Sequence, residues 1–294
     1  MNTPLPTRPP LTFRLLWQML RESGQEWLDD KVPRLGAALA FYSVLSIGPL
    51  LLIVIAIAGL AFGRAAVSGY LYEEIRALVG DIGAQAIQAI LASSANKGSG
   101  IVATLIGLVT LIVSATGFFA QLQDAMNAVW NVDETQKRHW SWFIRKRVLS
   151  FALIVGIGFL LLISLVVSAA LAALNAFVAE YTPGFLTHLI NHLVSFIVMT
   201  FMFGMVFKIL PDVKIRWRDV WVGAAITAVL FSFGKYLIGL YLGHSALSSA
   251  YGAAGSLIVL LVWIYYSTQI FFFGAEFTQV YTRHFSTEIT PKTH

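Results

Sequence analysis

A single lysine, Lys235, stands inside the apolar run LFSFGKYLIGLYLG at 230–243. An ammonium at a bilayer centre costs about 2.5 to 3.5 kcal/mol, so a chain keeps one there only where it reaches headgroups, water or an anionic partner. Lys235 lies sixteen residues beyond Asp219, about 24 Å along a helix and nearer the far surface than the middle. Three uses fit: its stem snorkels to the outer headgroups, it faces a cavity and holds an anionic group, or it pairs with Glu73, Glu74 or Asp81 of an outer segment. Glu276 closes the run FFFGAEF, and Asp124 stands with Gln121 and Gln123 at the equivalent, cytoplasmic end of another run. Two carboxyls at one depth can form a proton or cation site, or tie helices together.

Gly48 and Pro49 interrupt a third run halfway. Proline removes an intrahelical hydrogen bond and frees carbonyls that need protein or water, which serves either a structural kink or a transport hinge. Ser43 and Ser46 just before it supply hydroxyls for a polar lining or for helix packing. His188 and His192 are four apart, but no adjacent acid or cysteine completes a metal site, so neither metal nor cofactor is expected. A glycine loop with a phosphate-binding lysine is also missing, which leaves ion gradients or a partner to drive any transport.

These groups must be held by apolar helices. Of 294 residues, 57% are hydrophobic and 12% charged, more apolar surface than a soluble core can use. Six stretches are long enough to cross a bilayer: about 36–62, 99–121, 148–176, 189–210, 220–242 and 253–280. The segments before, between and after them alternate in charge. Sixteen of the Lys and Arg residues fall on one side and three on the other, with Lys235 left over, which places both termini in the cytoplasm. The expected class is an all-α polytopic membrane protein with six transmembrane helices. Residues 1–35 form a cytoplasmic segment, 36–282 the membrane domain and 283–294 a cytoplasmic tail. The start, MNTPLPTRPPL, lacks an apolar core and cleavage site, so the first span is expected to be retained. From Phe13, apolar Leu16, Trp17, Leu20, Trp27 and Leu28 oppose Arg14, Arg21, Glu22 and Asp29, which predicts an amphipathic helix lying flat on the cytoplasmic face. The outer loop 64–98 repeats that pattern through Leu71, Ile75, Leu78 and Ile82, to lie on the outer leaflet or cap a cavity. The loop 122–147 interleaves Trp140 and Trp142 with basic residues, as suits anionic headgroups. LGAALAFY at 35–42 echoes VGAAITAV at 222–229, and SSANKGSG at 93–100 echoes SSAYGAAG at 248–255, as a parallel repeat would.

The segments ALAFYSVLSIGPLLL (38–52), NAVWNV (127–132), RWRDVWVGA (216–224) and YGAAGSLIVLLVWIYYSTQIFFFGAEF (251–277), with their spacing, closely resemble the YihY/BrkB family of bacterial inner-membrane proteins. The resemblance covers nearly the whole chain and is most specific at the C-terminal motif. It implies six spans with cytoplasmic ends, and links to serum resistance and envelope lipid transport. It also carries an old ribonuclease label, which the residues here do not support. The histidines at 139, 188, 192, 244, 284 and 294 are scattered, and no soluble segment exceeds about forty residues, too short for a nuclease domain.

The expected function is a non-enzymatic transporter or lipid carrier of the bacterial cytoplasmic membrane, built around spans one, five and six. Lys235 would hold an anionic group, Gly48 and Pro49 would permit rearrangement, Ser43 and Ser46 would line the path, and Glu276 and Asp124 would act near the inner gate. Membrane lipids, anionic phospholipids above all, are the expected partners, with no nucleic acid. Homo-oligomerisation is left open. The competing class is a scaffold that holds envelope-protein partners through its amphipathic segments.

Overall fold

The structure is a computed structural model, and it describes residues 12–62, 101–132, 184–244, 255–285 and 290–291 together with scattered positions between 68 and 89. Among these residues the chain forms α1 (Phe13–Asp29), α2 (Val32–Phe62), α3 (Ile101–Val129), α4 (Gly184–Ile209), α5 (Trp217–His244) and α6 (Gly255–Phe285). Helices α2 to α6 coincide with five of the six apolar stretches; the remaining one, 148–176, lies outside the described residues. Over Trp217–Leu242 and Leu257–Phe285, α5 and α6 are each long and apolar enough to cross a bilayer.

Small residues set the α5–α6 contact. Gly223 lies against Thr278 and Gly274 against Thr227, so each helix seats a threonine on the other's glycine. Each threonine hydroxyl in turn donates to its own helix, Thr227 to the Gly223 carbonyl and Thr278 to the Gly274 carbonyl, both at 2.7 Å. With Gly234 against Ile270 and Tyr266, the pairs define an antiparallel register. Close approach of this kind gains dispersion contacts that the hydrophobic effect does not supply between helices in lipid.

Helix α6 is the hub, touching α1, α2, α3 and α5, while α4 packs on α5 and α3 on α2. Phe203 and Phe207 of α4, Phe231 of α5 and Phe271 of α6 interlock, with ring centroids 5.2 Å (Phe207 to Phe271) and 5.5 Å (Phe203 to Phe231) apart. The outer face of α5 is also apolar: Phe233 and Tyr236 are 62% and 65% exposed, with Val229, Leu240 and Tyr241 beside them. In water such a face is costly, and in lipid it is neutral, which accounts for the composition of the chain.

Residues outside the helical region end the helices where the chain must turn. Asn131, at φ 50°, caps α3: its N–H donates to the Ala128 carbonyl and that of Val132 to the Asn127 carbonyl, both at 2.9 Å. This carries α3 through Val129, into the region read as the basic loop 122–147. Lys31, at φ 54°, makes a similar joint between α1 and α2. The α4–α5 connection is fastened to α3, because the Asn127 amide donates to Asp212 Oδ2 and its carbonyl accepts from the Asp212 N–H, each at 2.9 Å. At that end Lys208 donates to the Ile215 carbonyl and lies 5.5 Å over the Trp217 ring. The all-helical expectation needs one small amendment: Val213 and Lys214 pair antiparallel with Pro291 and Thr290, so the tail returns to the α4–α5 connection.

Candidate functional site

Glu22, Glu26 and Asp30 recur every fourth residue, so they share one face of α1 and its end. That face meets the C-terminal part of α6. Arg283 donates to Glu22 Oε1 at 2.7 Å and also to Glu26, and His284 Nε2 lies 2.9 Å from Glu22 Oε2. Farther along, Asp30 reaches Glu276. Because rising numbers in α1 meet falling numbers in α6, the two helices run antiparallel.

Glu276 is fully buried, and neither of its oxygens meets an N–H or hydroxyl donor among the described residues. Opposite it, along the antiparallel pairing of α1 and α6, stands another carboxyl, Asp30, whose Oδ2 is also buried with no donor among the described residues. Two carboxyls can hydrogen-bond only through a proton that one of them carries. Burial holds the Asp30 carboxyl above its ordinary range; the hydrogen bond from Glu276 works against this, and the charges of Glu26 and Asp29 add to it.

Beneath these acids α1 seals against the bundle. Met19 and Ser23 are completely buried, and Leu16 and Leu20 pack with Phe277, Val280 and Tyr281 of α6 and Val222 and Ile226 of α5. The amphipathic helix therefore forms as its periodicity predicts, but part of its apolar face is spent on the bundle. Phe13, Trp17 and Leu28 stay exposed at 86%, 64% and 64%, a second apolar stripe facing outward.

Gly24 and Trp27 of α1, Leu230, Phe233 and Gly234 of α5, and Tyr266, Gln269, Ile270 and Phe273 of α6 enclose an open groove of about 420 Å³. Its wall is almost wholly apolar. Trp27 Nε1 and both amide atoms of Gln269 are buried behind this wall without hydrogen-bond partners among the described residues, the Gln269 amide lying against Gly36 of α2. An unpaired buried polar group costs about 1–3 kcal/mol, so Trp27 and Gln269 gain from turning toward any polar atom that an occupant brings to this otherwise apolar slot.

The residues singled out from the sequence do not gather in one place. By the α5–α6 register, Lys235 is roughly 10 to 15 Å along the bundle from the level of Glu276. Lys235 is half-buried, and the groove is lined by its neighbour Gly234 rather than by Lys235 itself. Two of its three candidate acids are engaged elsewhere, since Arg76 lies 3.6 Å from Glu73 and also pairs with Asp81. Asp124 sits on an exposed face of α3, and the carboxyl that meets Glu276 is Asp30. Its neighbour Gln123 is the inward residue, donating to Asp212 at 3.3 Å. Helix α2 runs through Gly48 and Pro49 as one element, so the proline does not end it. Ser43 donates to the Leu39 carbonyl at 2.8 Å and Ser46 to the Ser43 carbonyl at 3.1 Å, so both hydroxyls are turned to their own backbone. His188 and His192 lie on α4, and their side chains fall outside the described residues, as does Glu74. Glu22 and Trp27 were read only as parts of the two faces of the amphipathic helix, and Glu26, Asp30 and Gln269 were missed by the sequence reading; the fourfold spacing of the three acids was the available signal.

The profile of the virulence factor BrkB family matches residues 23–294. A UPF0761 membrane protein of Ralstonia nicotianae is 29% identical over 264 residues, covering 87% of this chain and 56% of its own length. One of Verminephrobacter eiseniae is 27% identical, covering 90% and 62%, and one of Tolumonas auensis 26% identical, covering 85% and 80%. The chain thus spans somewhat over half the length of the first two of these relatives. No solved structure matches.

Proposed function

The chain belongs to the BrkB family of membrane proteins, and from that premise we propose that it is a carrier of amphiphiles. In this reading it crosses the bacterial cytoplasmic membrane six times with both ends inside, as the charge alternation of the sequence supports. The groove between α1, α5 and α6 is the observation that carries it. An occupant suited to that groove has an apolar body for Phe233, Ile270 and Phe273, and a hydrogen-bonding linkage gives the buried polar atoms of Trp27 and Gln269 a partner once those side chains turn toward it. An acyl chain joined through an ester or amide has both. The groove borders the exposed apolar face of α5, so a chain enters it from lipid without crossing water. Lys235, one residue beyond the groove-lining Gly234, is assigned to an anionic headgroup.

A scaffold is the second reading, and the exposed stripe Phe13, Trp17 and Leu28 favours it, because such a stripe suits a membrane surface or a partner helix. Reconstitution separates the two. Wild type, Gln269→Leu and Lys235→Met are placed in vesicles of phosphatidylcholine and phosphatidylglycerol with labelled headgroups, and leaflet exchange is followed by reducing the outer label. A carrier gives exchange above protein-free vesicles that slows in Gln269→Leu, and slows in Lys235→Met for the anionic label alone. Background exchange with folded wild type overturns the carrier reading.

A further inference from the structure

We infer that the Glu276–Asp30 pair is a proton-binding site that latches α1 onto α6, so that loss of the proton releases α1 from the groove it helps to enclose. The carrier reading is deepened by this, since the proton becomes its coupling ion. The latch itself stands on geometry that does not require transport.

The site joins two elements. Glu276 comes from α6, is fully buried and has no donor for either oxygen among the described residues, while Asp30 ends α1. Without a proton, two carboxylates face each other in a contact that is fully buried at Glu276 and half-buried at Asp30, with Glu26 beside them. With one, the same contact is a hydrogen bond. Among the described residues, the remaining charges do not replace it. Arg283 is engaged by Glu22 and Glu26, one to two turns farther along. Asp29 on α1 adds negative charge to this end, and the buried Asp219 stands one turn before Gly223 on α5. Lys31 and Arg34 at the joint are exposed. On α3 Asp124 is exposed, and Gln123 is committed to Asp212.

Release has a hinge and a consequence. Lys31, at φ 54°, breaks the helix directly after Asp30, so α1 can swing without unwinding α2. Gly24 and Trp27 form the α1 wall of the groove, so the same swing opens it. The sign follows from linkage: the docked state holds a proton that the released state gives up, so docking is favoured at low pH and weakens as pH rises. Over the range in which only the docked pair keeps its proton, each pH unit multiplies release about tenfold.

The chain has no cysteine, so Ser23→Cys provides a unique thiol in the buried α1 contact, where Ser23 has 0% exposure. Its labelling by a membrane-impermeant maleimide is measured in the full chain from about pH 5 to about pH 10, normalised at each pH to free cysteine. Latching predicts a rise of about tenfold or more across that range. Glu276→Gln, whose amide donates to Asp30 without a titrating proton, keeps labelling low throughout. His284→Gln removes the imidazole facing Glu22 and leaves the pH rise in place. A flat wild-type profile overturns the latch, as does a rise that survives in Glu276→Gln or disappears in His284→Gln. Leaflet exchange at the same pH values separates the two proposals: a pH-dependent latch without exchange sinks the carrier and keeps the latch, whereas exchange with a flat labelling profile does the reverse.

Discussion

Replacing Gly223 with alanine should loosen the α5–α6 pair, and the size of the effect can be worked out from the contact. A methyl at 223 would overlap the Thr278 hydroxyl and lie 2.7 and 2.9 Å from its Cβ and Cγ2. Ordinary carbon contacts sit near 3.5–4.0 Å, so the helices must part by about 1 Å or Thr278 must leave its rotamer. Overpacking of this degree costs about 1–3 kcal/mol. Alanine recovers up to about 1 kcal/mol of helix propensity, leaving a net loss of up to about 2 kcal/mol. At Gly239 on the same helix nothing lies within 4 Å, so Gly239→Ala keeps the propensity gain and is neutral to stabilising. Thr278→Gly removes the obstacle at its own cost of about 0.5 kcal/mol in helix propensity together with the contacts it gives up, and restores room for the added methyl of Gly223→Ala. The double variant should therefore be more stable than the sum of the singles by about 1 kcal/mol or more. Unfolding by SDS in mixed micelles, followed by the fluorescence of the eight tryptophans, measures all four proteins. Equal stability of Gly223→Ala and Gly239→Ala, or strict additivity in the double variant, would refute the interlock.

The other predictions concern the parts that hold the bundle ends. Asn127→Ala strips two hydrogen bonds from Asp212, at a cost of about 1–3 kcal/mol; limited proteolysis should then cut the 210–216 connection sooner, and unchanged cleavage would count against the clamp. Asn131→Gly should be near neutral, and Asn131→Val should cost about 1–2 kcal/mol, because a β-branched residue resists the positive φ there; equal melting temperatures for the two would show that the cap is not retained.

Lipid-facing apolarity is a property of composition and run length, so the membrane class and the helices α2 to α6 were legible from residue order alone. Family membership was equally legible, because the motifs at 38–52, 127–132, 216–224 and 251–277 are local strings of residues. The periodicity of α1 was read correctly as well. What periodicity leaves open is which apolar stripe meets protein and which meets lipid, since both environments take the same side chains. Leu16 and Leu20 went inward while Trp17 and Leu28 stayed out, and only the packing against Phe277 and Tyr281 distinguishes them.

The carboxyl site shows the same division at the level of chemistry. Glu276 stands out in sequence as a lone acid in an apolar run, which marks it as a buried charge in need of a partner. Its natural mate by depth was Asp124, but depth is only one coordinate, and rotation about α3 turns Asp124 to the exposed face. The partner came from α1, 246 positions away in the chain, because the joint at Lys31 lays α1 back along α6. Residue types thus determined a membrane helix bundle containing an ionisable group too costly to leave alone. The helix register and the angle at one left-handed residue decided which group it meets, because a hydrogen bond depends on a few ångströms that no one-dimensional pattern specifies.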